Sequence, residues 1–239
     1  MDEIKNKFIS HHIGSLFKEM FGSGTGIITF IGATILIFFL ILAIFAPQIA
    51  PYNPTVRVSR SLRPPNDTFI FGTDNLGRDV FSRVIYGARI ALTIAFIAVL
   101  IAAAIGIPLG LISGYIGGIL DRIITLIMDA IYSFPGLILA IAIAAVLGPG
   151  IFNISISIAV VYAPTYYRVI RNQVASIKDE LYVEAARAIG ARNVVILLRY
   201  ILPNVLPSIV VVLSMNLADA IMTEALSLIH ISEPTRLLS

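Results

Sequence analysis

Residues 27–46 read IITFIGATILIFFLILAIFA, twenty residues without a single charge, ended by Pro47. A transmembrane helix needs about 20 predominantly apolar residues. A secretory signal has a shorter apolar core, about 7–15 residues, and a small-residue cleavage site. This run is longer and begins late, so it reads as a retained first span. The preceding residues 1–26 are polar and mildly amphipathic, which suits a membrane-surface segment or a solvated terminus equally. Gly22-Ser23-Gly24-Thr25-Gly26 follows no strand and lacks the Gly-Lys-Ser/Thr ending of a phosphate loop, so it reads as a lead into the span.

The whole chain extends this reading. Of 239 residues, 58% are hydrophobic and 13% charged, with mean hydropathy +0.93. Soluble domains average about 45–50% apolar and about 25% charged residues. This composition excludes a disordered chain, which is poor in apolar groups. It also argues against an ordinary soluble enzyme, whose surface has to stay in water. The absence of Cys removes disulfides, thiolate metal sites and a Cys nucleophile. His11, His12 and His230 form no ligand cluster, which gives a zinc site no basis. The net charge of +3 is spread through the loops, with no basic stripe for nucleic acid.

Further apolar runs follow a polar connection, residues 47–89, that holds five Pro and six Arg. The second span is read over residues 90–112 and the third over 123–147, with Pro135 inside it. The fourth covers 151–169 around Pro164, and the fifth covers 201–226, beginning with Pro203 and Pro207. Gly148-Pro149-Gly150 forms a tight turn between the third and fourth. Proline is tolerated in a span where neighbours satisfy the freed carbonyl. The expected fold is therefore an all-α polytopic membrane protein with five spans. Counting Lys and Arg in the loops gives ten inside against seven outside if the N-terminus is cytoplasmic, a weak preference for that orientation.

Three features point further. Ala98, Ala102, Gly106, Gly110, Gly114 and Gly118 recur every fourth position, a row that lets another helix approach closely. It fits tight packing within the subunit or a mobile interface, and its end fits a glycine turn. Asp129 lies seven residues after Arg122, on a similar helix face, which makes Arg122 its expected structural partner. The alternative is a functional intramembrane carboxylate, and Asp219 and Glu224 pose the same question. Finally, residues 178–204 read KDELYVEAARAIGARNVVILLRYILPN. Good helix formers surround Glu184-Ala185-Ala186, and Gly190 suits a left-handed C-cap. A second amphipathic stretch covers 193–200. The segment reads as a helix–turn–helix at a membrane face whose Ala-rich outer surface suits a partner's groove, or as a solvated connection.

The Glu184-Ala185-Ala186, Gly190 and Leu202-Pro203 spacing resembles the EAA motif of permease subunits in binding-protein-dependent ABC importers. Tyr200 stands where that pattern has Ile. The first loop is narrower in its likeness. Gly72, Thr73, Asp74, Gly77, Arg78 and Asp79, in FGTDNLGRDVFSR (residues 71–83), resemble the dipeptide/oligopeptide/nickel permease subfamily, specifically its C-type subunit. Asp121, Asp129, Phe134-Pro135 and Gly148-Pro149-Gly150 also fit that subfamily, although Leu126 stands where many relatives carry Arg.

This resemblance implies the ABC importer type I transmembrane-domain fold with six spans, five of them present here. Residues 228–239 cannot supply the sixth, so the chain is expected to be truncated after about Ser227, with a tail not native to the family. The implied function is half of a pore for uptake of di- or oligopeptides or a related solute, without enzymatic activity of its own. A second permease subunit, two cytoplasmic ATPase subunits and an extracytoplasmic solute-binding protein would be its partners. ATP and Mg would be bound by the ATPase subunits, with no cofactor in this chain. The loop at about residues 170–200 would be the cytoplasmic coupling element, residues 47–89 an external loop, and residues 1–26 a cytoplasmic segment, in a bacterial or archaeal plasma membrane. The competing readings are a secondary transporter or channel without ATPase partners, and a non-functional permease fragment.

Overall fold

A computed structural model describes residues 24–232. The reading of residues 1–23 as a surface or cytoplasmic segment, and of residues 233–239 as the end of the tail, lies outside the described residues. Helix α1 is Gly24–Ile44, α2 is Ala46–Ile49, α3 is Val80–Ile116, α4 is Gly118–Tyr132, α5 is Gly136–Leu147, α6 is Ile151–Ile177 and α7 is Leu181–Ala188. A short α8, Asn193–Val195, runs through a π-helical stretch, Ile196–Ile201, into α9, Leu202–Ser232. No strand is present among the described residues; a lone bridge pairs Thr73 with Asp79. The described residues form two compact units, one ending at Arg89 and the other beginning at Ile90.

In the first unit, α1 exposes apolar side chains on all sides, from Ile27 to Ile44. A helix apolar all round belongs in a core or a bilayer, and this one has no core around it within its unit. Between α2 and α3 the chain is irregular. Its turns end where Asp79 caps α3: Oδ2 accepts the Ser82 N–H at 2.8 Å and the Ser82 hydroxyl at 2.6 Å. The Ser82 hydroxyl in turn accepts the Tyr52 N–H at 3.1 Å. The first turn of α3 is thus tied to a residue thirty positions earlier, and an N-terminal orphan donor is satisfied by a side chain.

The second unit is built around α6. One buried cluster joins Ile94, Ala98 and Ala102 of α3 to Ile158, Ala159 and Tyr166 of α6 and Val212 and Ala220 of α9. Small residues on α3 permit this closeness. A Cβ added to Gly106, Gly110 or Gly114 would lie 2.5, 2.8 or 2.7 Å from the carbonyl oxygens of Ala163, Tyr167 and Arg171 respectively. The two rows advance together by four residues, so the helices pack backbone against backbone, as small-residue rows allow. The row is therefore packing within the subunit. It stops at α3: Gly117 and Gly118 both take positive φ, +67° and +68°, and make the turn into α4.

Three sequence expectations change. The third span is not one straight helix. It breaks at Ser133-Phe134-Pro135, and α4 and α5 meet at 91°. Pro135 has no N–H to donate and disfavours helical backbone at Phe134, so the helix ends there instead of bending gently. The expected division between an amphipathic stretch and a fifth span also disappears, because residues 193–232 form one continuous helical run. Its π-helical stretch precedes Pro203, whose missing N–H and ring disturb the preceding turn. Lastly, against the five spans read from the sequence, three helices among the described residues are long and apolar enough to cross a membrane, within 26–44, 80–116 and 193–224, or four with the bent pair as one. Helix α6 has 27 residues, enough length, but carries Asn153, Ser155, Ser157 and two arginines. Ser155 and Ser157 are buried and bond backbone carbonyls of α6 itself, Ile151 and Asn153.

Candidate functional site

Helix α7 carries the segment singled out from sequence. Glu180 precedes it with extended backbone, and eight residues follow with good helix propensity. Val183 and Ala186, three apart and so on one face, are buried. They pack in a cluster with Ile170 and Val174 of α6, Ile196 and Ile201 of the π stretch, and Val205 and Ile209 of α9. The opposite face is open. Glu184 and Ala185 are exposed, and beside them Leu181 and Ile189 stand 80% and 79% exposed.

The end of α7 is closed by a complete Schellman motif. Gly190 takes φ +79°, its N–H donates to the Arg187 carbonyl at 2.9 Å, and the Ala191 N–H donates to the Ala186 carbonyl at 3.0 Å. Ala191 packs on the cluster that holds Ala186, supplying the hydrophobic contact that accompanies this cap. The end of α3 clamps the same element. Arg187 lies 5.4 Å over the Tyr115 ring, and the Tyr115 hydroxyl donates to Asn193 at 3.0 Å. Leu202 packs on the cluster that buries Ala186, while Pro203 is exposed in the first turn of α9. The motif residues of this segment are thus brought together, around a helix whose inner face is fixed and whose outer face is bare.

The second motif lies in the first unit. Gly72 and Gly77 take φ +71° and +75°, and a Cβ on either would fall 2.2 Å from a backbone oxygen, of Arg63 and Ser59 respectively. Thr73 is buried; its hydroxyl donates to the Arg60 carbonyl at 2.6 Å and accepts the Arg63 N–H at 2.9 Å. Asp74 accepts the backbone N–H groups of Leu76 and Arg78 and the Arg78 guanidinium at 2.8 Å. Burial pushes the Asp74 carboxyl up, but the Arg78 N–H, the Arg78 guanidinium and the Leu76 N–H outweigh it and hold it below the usual aspartate range. Each of the six motif residues therefore shapes a turn or caps a helix.

Charged side chains of the second unit pair differently from the sequence expectation. Asp129 meets Arg168 of α6 at 2.7 Å, not Arg122. Seven residues along one helix bring side chains to a similar face but about 10 Å apart, whereas Arg168 reaches across from the neighbouring helix. Arg168 also covers the Tyr132 ring at 4.2 Å. A tighter pair was not foreseen: Arg171 donates to both oxygens of Asp121, each at 2.6 Å. Ser113 donates to the same carboxylate, and the Tyr167 hydroxyl lies 2.7 Å from the hydroxyls of Ser113 and Thr125. This network joins the end of α3, the start of α4 and the part of α6 that leads to α7.

Against known proteins, residues 106–237 match the family described as binding-protein-dependent transport system inner membrane component, a range that takes in most of residues 228–239. Residues 28–66 match the N-terminal TM domain of oligopeptide transport permease C. The chain is 44% identical over 195 residues to the glutathione transport system permease protein GsiD of Shigella flexneri serotype 5b (strain 8401), covering 81% of this chain and 64% of that protein. It is 40% identical over 200 residues to the dipeptide transport system permease protein DppC of Alkalihalophilus pseudofirmus (strain ATCC BAA-2126 / JCM 17055 / OF4), covering 82% and 64%. The chain thus spans 64% of the length of these relatives. Among solved structures, an inward-facing MetNI methionine ABC transporter aligns with TM-score 0.48 and 24% identity, over 57% of this chain and 69% of that one.

Proposed function

The chain belongs to the binding-protein-dependent transport system inner membrane components, and from that premise we propose that it is a permease subunit of an ABC importer, forming half of a pore for di- or oligopeptides or a related solute. The observation that carries this reading is α7, with Val183 and Ala186 locked under α6 and α9 while Glu184, Ala185 and Ile189 face outward. A partner that grips the outer face moves the two long helices together, which a solvated connection does not do. In this reading α7 is the coupling helix, seated in a groove of a cytoplasmic ATPase subunit. ATP and Mg bind to two such subunits, a second permease subunit completes the pore, and an extracytoplasmic binding protein delivers the solute. Glu184 and Ala185 contact the ATPase, Ala186 anchors the helix, Gly190 ends it, and Leu202-Pro203 opens the helix beyond.

The orientation follows: the N-terminus and α7 cytoplasmic, and residues 47–89 external, in a bacterial or archaeal plasma membrane. The loop motif Gly72, Thr73, Asp74, Gly77, Arg78 and Asp79 then shapes the external connection. The glutathione and dipeptide permeases among the relatives support a peptide-like solute. The alternative of a transporter without ATPase partners gains nothing from Asp121 and Asp129, whose charges are neutralised by arginines.

The test is Glu184→Lys in the assembled transporter in vesicles. The variant inserts and assembles, yet loses solute uptake and solute-stimulated ATP hydrolysis. Full uptake by the variant would overturn the coupling role. A cysteine introduced at Ser61, in a chain without others, tests topology: labelling from outside intact cells is expected, and labelling only after permeabilisation reverses the orientation.

A further inference from the structure

The geometry points to a phosphate-binding cleft in the connection between α2 and α3, lined by Ser59, Arg60, Ser61 and Arg63, whose occupant is the headgroup phosphate of an anionic phospholipid. The site needs only that α1 and α3 lie in a bilayer, whichever side of it the connection faces.

The cleft measures about 550 Å³, and the loop motif fixes its backbone. The Val58 N–H donates to the Gly77 carbonyl at 2.8 Å, the Leu62 N–H to the Asp74 carbonyl at 3.0 Å, and the Thr73 N–H to the Arg63 carbonyl at 3.0 Å. The Thr73 hydroxyl donates to the Arg60 carbonyl. Gly72 and Gly77 leave room for the carbonyls of Arg63 and Ser59, where a Cβ would collide. Four motif residues thus pin a short stretch, residues 59–63, while Arg60, Ser61 and Arg63 stay exposed.

The arginines of this connection fall into two sets. Arg78 and Arg83 share the Asp74 carboxylate, whereas Arg57, Arg60 and Arg63 have no carboxylate within ion-pair distance among the described residues. Arg57 Nε donates to the Ser59 carbonyl at 3.1 Å and Arg63 Nη1 to the Ser59 hydroxyl at 3.2 Å, both close by in sequence. Like charges on one pinned stretch repel one another, and an anion among them removes that cost. Guanidinium forks with hydroxyl donors between them match the several oxygens of a phosphate.

Leu62 tells where that phosphate comes from. It takes φ +53°, the one non-glycine at positive φ among the described residues. An L-residue adopts this backbone at a cost, and such residues collect at binding sites. Leu62 lies between Ser61 and Arg63 and is 74% exposed. An open apolar side chain among arginines suits the boundary between headgroups and acyl chains. The chain's own continuity puts that boundary within reach. Helix α1 ends at Ile44 and α3 begins at Val80, both long and apolar enough to cross a membrane, so residues 45–79 leave the membrane surface and return to it.

The test uses the complete transporter in lipid nanodiscs. A phosphatidylglycerol with a photoactivatable diazirine near its headgroup is expected to crosslink to the peptide holding residues 59–63, read by mass spectrometry, and a matched phosphatidylcholine probe to do so far less. Arg60→Gln changes a guanidinium that makes no hydrogen bond or ion pair among the described residues. It is expected to lower the phosphatidylglycerol crosslink about fivefold, the effect of one basic residue at an anionic surface, with the membrane level of the subunit unchanged. Arg122→Gln, on α4, leaves the crosslink as it was. If Arg60→Gln fails to assemble, Ser61→Glu sets a carboxylate in the cleft and gives the same loss. Equal crosslinking by the two lipids, or a yield that survives the cleft variant, overturns the inference. Displacement of the lipid by inorganic phosphate at constant ionic strength assigns the cleft to the free anion and overturns the lipid. Weaker association of the extracytoplasmic binding protein in Arg60→Gln, with the lipid crosslink intact, assigns the arginines to an acidic protein face and overturns it as well.

Discussion

Gly106 of α3 and Ala163 of α6 meet backbone to backbone: a Cβ on the glycine would lie 2.5 Å from the alanine carbonyl oxygen. The neighbouring side is equally close, with Tyr166 Cβ at 2.6 Å. Neither neighbour is the far end of a flexible side chain, so the two helices would have to separate. Gly106→Leu is expected to destabilise the subunit by at least about 2 kcal/mol, within the range for overpacking, and to deplete it from membranes. Gly32→Leu, where nothing lies within 4 Å, is the matched control and leaves the membrane level unchanged. Equal levels for the two variants would remove the packing role assigned to the row.

The Arg171–Asp121 pair makes a different prediction. Hydrogen bonds to charged groups contribute about 1.5–3 kcal/mol, and this pair, with side chains 31% and 15% exposed, is only partly screened by solvent. Arg171→Ala and Asp121→Asn should each lower the melting temperature of the detergent-solubilised transporter. The double variant should lose clearly less than the sum, because each single change already breaks the pair. Strict additivity would show that the network is not coupled.

Arg168 and Asp129 should behave otherwise. Their side chains are 46% and 54% exposed, and exposed pairs contribute about 0–1 kcal/mol. Asp129→Asn is therefore expected to shift the melting temperature far less than Asp121→Asn. A shift of equal size would mean that the pair is shielded in the assembled transporter.

A pH dependence follows from Asp74. Its carboxyl lies lower in the folded loop than in an unfolded chain, so the folded loop favours the ionised form. The stabilisation is fully present above the ordinary aspartate value of about 4 and is lost as pH falls below it. Limited proteolysis of residues 50–79 in sealed vesicles should accelerate on acidification through that range with an acid-stable protease. Asp74→Asn should give rapid cleavage at every pH, with its acid-dependent part removed. A variant that keeps the wild-type pH profile would assign the transition to another group.

Much of this was legible in the chain itself, and particular residues show where legibility stopped. Apolar runs mark α1, α3 and α9 because the bilayer demands length and composition, which are local properties. The α7 segment and its Gly190 cap are local too: a left-handed glycine two residues past the end of an eight-residue helix leaves its trace in the sequence. The four-residue row from Ala98 onward showed that some helix comes close, but not which one. Partners of charged groups are set by packing between helices, so Arg122 looked plausible for Asp129 on the spacing of one helix, while Arg168 came from thirty-nine residues away. Arg171 and Asp121 are separated by fifty residues and carried no joint signal. Pro135 was visible but read as tolerated, because the residues alone do not distinguish a kink from a right-angled break.

Ile196, buried beneath α7, and Asp219 belong to one uninterrupted helical run. Twenty-three positions separate them, roughly 34 Å at 1.5 Å per residue. No loop lies between the two to absorb a displacement. A push on the base of this rod arrives at its far end as a displacement of the same rod, because the run is one continuous mechanical member.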